Sequence, residues 1–191
     1  DISVETAVME RRHLVGSKDV SIHLSKRLGQ ESISEDDDYF SLKEMEQNNR
    51  HKQFQNVDYG LEPNIKNSPG GLRDIHTVMW IALKRHKTVS KKELIKLGVL
   101  TKTESRLLAA AEKFLRHTRF GLHLISKNKE DRLRFMHQRD LSSKLDYRSS
   151  TGKPDVEKFM QKYYRHVLAI QEINTIVIQS FRENLSKISE P

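Results

Sequence analysis

Apolar residues along this chain recur mostly in steps of three and four, and no pair of alternating, strand-like segments stands out, so the pattern predicts helices without a sheet. The last segment is the clearest. From Pro154 onward, Val156, Met160, Tyr163, Val167, Ile170, Asn174, Val177 and Phe181 form one stripe, which predicts a helix of ~30 residues, about 45 Å long at 1.5 Å per residue. So regular a heptad suits a coiled coil. Phe159, Tyr164, Leu168, Ile173, Ile176 and Ile178 widen the stripe, however, and a wide stripe favours the core of a bundle.

The same reasoning divides the rest of the chain. Ile2 to Leu14 reads as a helix stopped by Gly16, and Lys18 to Leu28 as a second one. Gln30 to Asp38 is polar and acidic, a loop whose Asp38 end would cap a helix over Tyr39 to Phe54. Asn56 to Pro69 must be a loop, because Pro63 and Pro69 exclude a continuous helix. Gly70 and Gly71 open a helix with Leu72, Ile75, Val78, Met79 and Ala82 inward, widened by Trp80 and Ile81. Ser90 to Leu97 is a short helix ended by Gly98. Thr101 with Glu104 forms a capping box for a helix reaching about Lys127, with core stripe Leu107, Ala111, Phe114, Thr118, Leu122 and Ile125. A short helix near Phe135 to Leu145 and a polar linker, Tyr147 to Lys153, complete the pattern. The expected class is all-α, a helical bundle with a long C-terminal helix.

Composition narrows the function classes. The 191 residues carry 34 basic and 26 acidic side chains, a net charge of +8, which suits a nucleotide, a phosphorylated ligand, an acidic protein or RNA without choosing among them. Cysteine is absent, which excludes disulfides and thiolate metal sites and fits a reducing cytoplasm. The longest apolar run, Val78 to Leu83, is too short for a membrane span, and no signal-peptide pattern is present. The chain starts at Asp1 and enters a helical pattern at once, as a piece of a longer protein would.

The densest chemistry lies between Leu61 and His76. Two glycines at a helix start would let backbone N–H groups approach a phosphate, with Lys66 and Arg73 adding charge. The alternative is a tight loop in which Arg73 and Asp74 brace neighbouring helices. Glu35-Asp36-Asp37-Asp38 holds an Asp-x-Asp spacing that could bind a metal, though no Gly-Ser loop precedes it and a solvated acidic turn suits it better. Lys113, Arg116, His123 and Lys127 lie near one helical face, either a phosphate- or protein-binding row or a solvated surface. No His-Glu-x-x-His or His-Asp pattern occurs, which argues against a metal hydrolase site.

Read together, Glu62 to His76 and the preceding Lys43-x-x-Glu46-x-x-x-Arg50-His51 resemble the bifunctional PII uridylyltransferase and uridylyl-removing enzymes, and more loosely glutamine synthetase adenylyltransferase. Thr6, Glu10, Arg12 and Gly16 extend the likeness, as do Arg119-Phe120-x-Leu122-His123, Asp131-Arg132-Leu133-x-Phe135-x-x-Gln138 and Phe159-Met160-x-x-Tyr163-Tyr164-Arg165. The resemblance implies transfer of UMP from UTP to a tyrosine of the PII signal protein, with glutamine as effector and neither nucleic acid nor membrane as partner. It also implies Mg²⁺ held by an Asp-x-Asp pair after a Gly-Ser loop, a motif this chain lacks; no metal ligand or catalytic residue is therefore expected within it. Nor does it contain the His-Asp hydrolase domain. The expected organisation is 1–30 as the last helices of a nucleotidyltransferase domain, 31–69 as a helix and loop leading in, and 70–188 as the helical bundle. Asn64, Lys66, Gly70, Gly71, Arg73 and Asp74 are the candidates for nucleotide binding or active-site support, with Asp74 orienting Arg73 or capping its helix. Lys43, Glu46, Arg50, Glu62, Arg119 and Arg132 are expected to be supporting; spacings of three and four put the first three on one helical face. The region either meets nucleotide directly or is a scaffold that positions PII and ties two catalytic domains together.

Overall fold

The computed structural model describes residues 1–30, 36–54, 60–153 and 155–186. Among them are eight bounded helices and no strand; an isolated bridge joins Asn64 to Arg132. In chain order these are α1 (Ile2–Met9), α2 (Lys18–Gln30), α3 (Asp36–Phe54), α4 (Leu72–His86), α5 (Lys91–Lys96), α6 (Lys102–Ser126), α7 (Phe135–Lys144) and α8 (Val156–Ser186). The all-α bundle with a long last helix is thus the observed architecture.

Helices α6 and α8 pack along each other, and α4 lies against both. The inward stripe of α8 holds Met160, Tyr163, Val167, Ile170, Asn174, Val177 and Phe181, all buried, joined by Phe159, Ile173 and Ile178. Leu168 and Ile176, expected to widen the stripe, face solvent instead. On α6 the expected stripe is offset at its start: Leu107 is 43% exposed while Leu108 is 2% exposed, and Leu115 joins the core. A straight 3.6-residue helix carries adjacent positions about 100° apart, so one neighbour faces inward and the other cannot. Thr101 and Glu104 form the expected capping box, and Lys127 ends α6 in the left-handed conformation.

Gly60 and Leu61 are helical inside the expected 56–69 loop, and two helix starts or stops also differ from expectation. Helix α1 stops at Met9 rather than Leu14, with Leu14 and Val15 largely exposed, so no burial supports the extra turn. Helix α3 begins at Asp36, which puts Asp38 inside its first turn instead of ahead of it. The acidic run Glu35 to Asp38 lies partly outside the described residues, as do the expected loop positions 56–59 and Pro154.

Helix α1 joins the bundle by packing on α3 and α4. Lys84 Nζ donates to Glu5 Oε1 at 2.6 Å with both residues buried, and the Thr6 and Tyr39 hydroxyls lie 3.0 Å apart. Burial pushes the Tyr39 phenol up to about 12.

Candidate polar pocket beside the Gly-Gly turn

The turn entering α4 is held by its own backbone. Ile65 N–H donates to Asp131 O and Leu133 N–H to Pro63 O, each at 2.8 Å, so residues 63–65 pair with 131–133 as a short ladder. Asn64 Oδ1 accepts from the N–H groups of Lys66 (3.1 Å) and Asn67 (2.8 Å), an Asx-type brace that commits this oxygen to the loop. Glu62 contacts Arg132 at 3.2 Å and caps the Phe135 N–H at 2.8 Å, and Arg119 Nε meets Asp131 at 2.6 Å. Glu62, Arg119 and Arg132 therefore support the loop from the far side. Burial pushes the Asp131 carboxyl up, but the hydrogen bonds and charges of Arg119 and His123 outweigh it and hold the group below its ordinary value.

The glycines have a different role from the one their position suggests. Gly70 N–H donates to Asp74 Oδ2 (2.7 Å), Gly71 N–H to Ser68 O (2.8 Å), Leu72 N–H to Ile65 O (3.1 Å) and Arg73 N–H to Lys66 O (2.9 Å). Every one of these amides is thus taken by the protein, and the start of α4 does not present the open N–H groups that a bound phosphate would need. Close packing is what requires glycine. A Cβ on Gly70 would stand 2.4 Å from Val167 O, and one on Gly71 would fall within 2.9 Å of the Ile65, Lys66 and Ser68 carbonyl oxygens. Gly70 also adopts φ +75°, a left-handed conformation.

Asp74 neither orients Arg73 nor caps α4 in the usual way. It is 0% exposed and turned toward α3, where its carboxylate accepts from Arg50 Nη2 at 2.6 Å and meets His51 Nε2 at 2.9 and 3.0 Å. Its backbone carbonyl accepts from Asn174 Nδ2 at 3.2 Å, and Asn174 also exchanges two hydrogen bonds with Gln47. One carboxylate thereby ties α3, the Gly-Gly turn and α4 together, with α8 attached behind. His51, Gln47 and Asn174 were not singled out for a role from the sequence. A polar residue within an apolar heptad stripe, as Asn174 is, was the signal available.

Arg73 points the other way. Its guanidinium lies over the Trp80 ring with Cζ 5.2 Å from the centroid, and among the described residues it pairs with no carboxylate. Lys43 Nζ stands over the same ring at 4.6 Å and bonds Glu46 Oε2 at 2.8 Å, so Glu46 pairs with Lys43 and Arg50 with Asp74. These side chains line a cavity of about 550 Å³ walled by α1, α3 and α4, to which the loop contributes Asn67 and the C-cap of α1 contributes Glu10. Beneath Arg73, burial and then the charges of Arg73 and Arg116 lower the His76 imidazole. Lys66 stays half-exposed in the same turn.

The structure therefore defines an all-helical domain with a braced glycine turn and one polar pocket presenting an uncompensated arginine. Residues 38–178 match the family model described as GlnD PII-uridylyltransferase. The chain is 40% identical over 183 residues to a bifunctional uridylyltransferase/uridylyl-removing enzyme of Stutzerimonas stutzeri, covering 96% of this chain and 20% of that protein. It is 37% identical over 191 residues to the protein of that description from Pseudomonas aeruginosa strain LESB58, covering 100% of this chain and 21% of the relative. The chain belongs to the PII-uridylyltransferase family, and it spans about a fifth of the length of the curated relatives it matches.

Proposed function

We propose that this chain is the helical part of the uridylyltransferase region of a PII-modifying enzyme, and that it meets the nucleotide through Arg73. The reaction in this reading is transfer of UMP from UTP to a tyrosine hydroxyl of PII, with glutamine acting on the whole protein as effector. Arg73 carries the reading because it lines the pocket and, among the described residues, pairs with no carboxylate. Trp80 positions its planar fork, which can clamp two oxygens of one phosphate. The Gly70-Gly71 turn contributes as a brace, since its amides are used internally. Lys66 is the second cation in reach of the same turn.

The carboxylates near the pocket do not fit a Mg²⁺ ion. Asp74 is engaged by Arg50 and His51 and Glu46 by Lys43, and no cluster of metal-ligating side chains occurs among the described residues. In this reading Mg²⁺ and its ligands belong to the rest of the longer enzyme, and this chain alone turns over no UTP. The test is made in the full-length enzyme, comparing Arg73→Ala and Arg73→Lys. If Arg73 meets the phosphates chiefly in the transition state, Arg73→Ala lowers kcat and kcat/KM together; if it only binds UTP, KM rises alone. Arg73→Lys restores function incompletely, since a point charge cannot replace the fork. A folded Arg73→Ala enzyme with unchanged kcat and KM for UTP rejects the reading and leaves the region a scaffold.

A further inference from the structure

Helix α8 backs the Gly-Gly turn along one face. Val167 and Gln171 fill the space that a side chain on Gly70 would need, and a turn further on Asn174 donates from Nδ2 to the Asp74 carbonyl oxygen at 3.2 Å. Positions 167, 171 and 174 follow the steps of four and three that keep residues on one side of a helix. Asn174 also exchanges hydrogen bonds of 2.7 and 3.1 Å with Gln47 of α3, and the two residues are only 4% and 6% exposed. A buried amide pair therefore sits where α3, α4 and α8 meet, in a stripe whose members Val167, Ile170, Val177 and Phe181 are apolar.

Apolar contacts are non-directional, so a seam of valine and isoleucine alone ensures burial but tolerates small shifts of one helix on another. Hydrogen bonds impose distance and angle, and a buried amide that loses its partner finds no water to replace it. A polar residue in an apolar heptad position accordingly sets register, at a cost in stability. Here the residue held in register is Asp74. Asn174 holds its carbonyl, while Arg50, His51 and the Gly70 N–H hold its carboxylate. The residue before it on α4 is Arg73, whose guanidinium leaves on the pocket side, over Trp80.

We infer that Asn174, with Gln47, is a positioning residue for Arg73: the amide pair locks the first turn of α4 against α8 and so sets where the Arg73 fork stands in the pocket. The inference rests on the reading that Arg73 acts in the transfer reaction and adds to it the device that aims the side chain. Neither Gln47 nor Asn174 is among the residues lining the cavity, so their effect on the reaction passes through the turn.

The test replaces both amides at once, Gln47→Met with Asn174→Leu, because exchanging both partners for apolar groups of similar shape is close to neutral for stability. In the full-length enzyme kcat/KM for UTP should fall about tenfold or more, since a clamp moved off its geometry loses its contribution, while the melting temperature holds or rises. The change should divide between kcat and KM as it does for Arg73→Ala, and should vanish when Arg73→Ala is already present. On the 191-residue chain, NMR reads the place of Arg73 directly, because the ring current of the single tryptophan shifts side-chain protons lying over its face. That shift should shrink in the paired variant. Lys162, held over Phe114 and Tyr147 at 5.6 and 5.5 Å, lies about three turns back along α8 and should keep its own. Asn174→Ala, which removes the bond to Asp74 without adding bulk, replaces the pair if circular dichroism shows that one to be misfolded. An unmoved Arg73 shift in a folded variant overturns the inference, as does a loss of rate that persists in full on the Arg73→Ala background. Unchanged kinetics in a folded variant, where Arg73→Ala is impaired, overturn it too. If the variant displaces Arg73 but Arg73→Ala itself keeps normal kinetics, the nucleotide reading falls and the hold of Asn174 on Arg73 stands.

Discussion

Gly70 and Gly98 adopt nearly the same left-handed backbone, at φ +75° and +73°, but their surroundings differ. A methyl group at Gly98 would meet nothing within 4 Å, whereas at Gly70 it would strike the Val167 backbone at 2.4 Å. Gly98→Ala should cost about 1 kcal/mol, the penalty for a left-handed non-glycine residue, and Gly70→Ala about 2–4 kcal/mol, because overpacking adds to it. Urea denaturation of the two variants separates these contributions; equal losses would mean that α8 yields to the methyl group. Asp74→Asn leaves Arg50 and His51 facing a neutral side chain in a buried site and should cost about 3–5 kcal/mol, the range for breaking a buried ion pair. The Gly-Gly-Leu-Arg-Asp string marked this turn as special from the sequence. Which atoms serve which purpose was hidden, because the partners of Asp74 lie 23 and 24 residues upstream and adjacent residues on α4 face opposite ways.

At the level of elements, the heptad of α8 identified the buried face because every turn repeats the same evidence. Ile170 is 0% exposed and Leu168 is 62% exposed. Ile170→Asp should therefore unfold the chain or cost at least about 4 kcal/mol, while Leu168→Asp should stay within about 0.5 kcal/mol. Similar melting temperatures for the two would contradict the assigned orientation of α8. Helix α6 was less legible: Leu107 and Leu108 are chemically identical neighbours, and only the partner helices decide which is inward. The link from α6 to the 131–133 strand-like segment also predicts a pH dependence. Asp131 has a carboxyl lowered in the folded state, so its contribution is present above the unfolded value of about 3.9 and is lost as pH falls toward the lower folded value. Asp131→Asn should flatten the acid limb of the stability curve, and an unaltered limb would show that other carboxylates govern it.

For the molecule as a whole, the decisive joint is the one between α1 and the bundle, because α1 supplies one wall of the pocket. The helix has only eight residues, too few to persist alone in water, so its order depends on docking. Docking includes the buried Lys84–Glu5 contact and the Thr6–Tyr39 hydroxyl pair. A buried pair of this kind contributes little against a well-packed apolar substitute, but removing the Glu5 carboxylate takes a hydrogen-bonded counter-charge from the buried Lys84 ammonium, at a cost of up to about 3–5 kcal/mol. Glu5→Ala should therefore release α1 without unfolding the rest, since the α6 and α8 core does not depend on that contact. Local opening of this sort is visible in amide exchange. The variant should lose protection across Ile2–Met9 while the central turns of α6 and α8 keep theirs. Loss of protection spread evenly over all the helices would show that α1 is an inseparable part of the core, and full protection of α1 in the variant would show that the ion pair does not hold it.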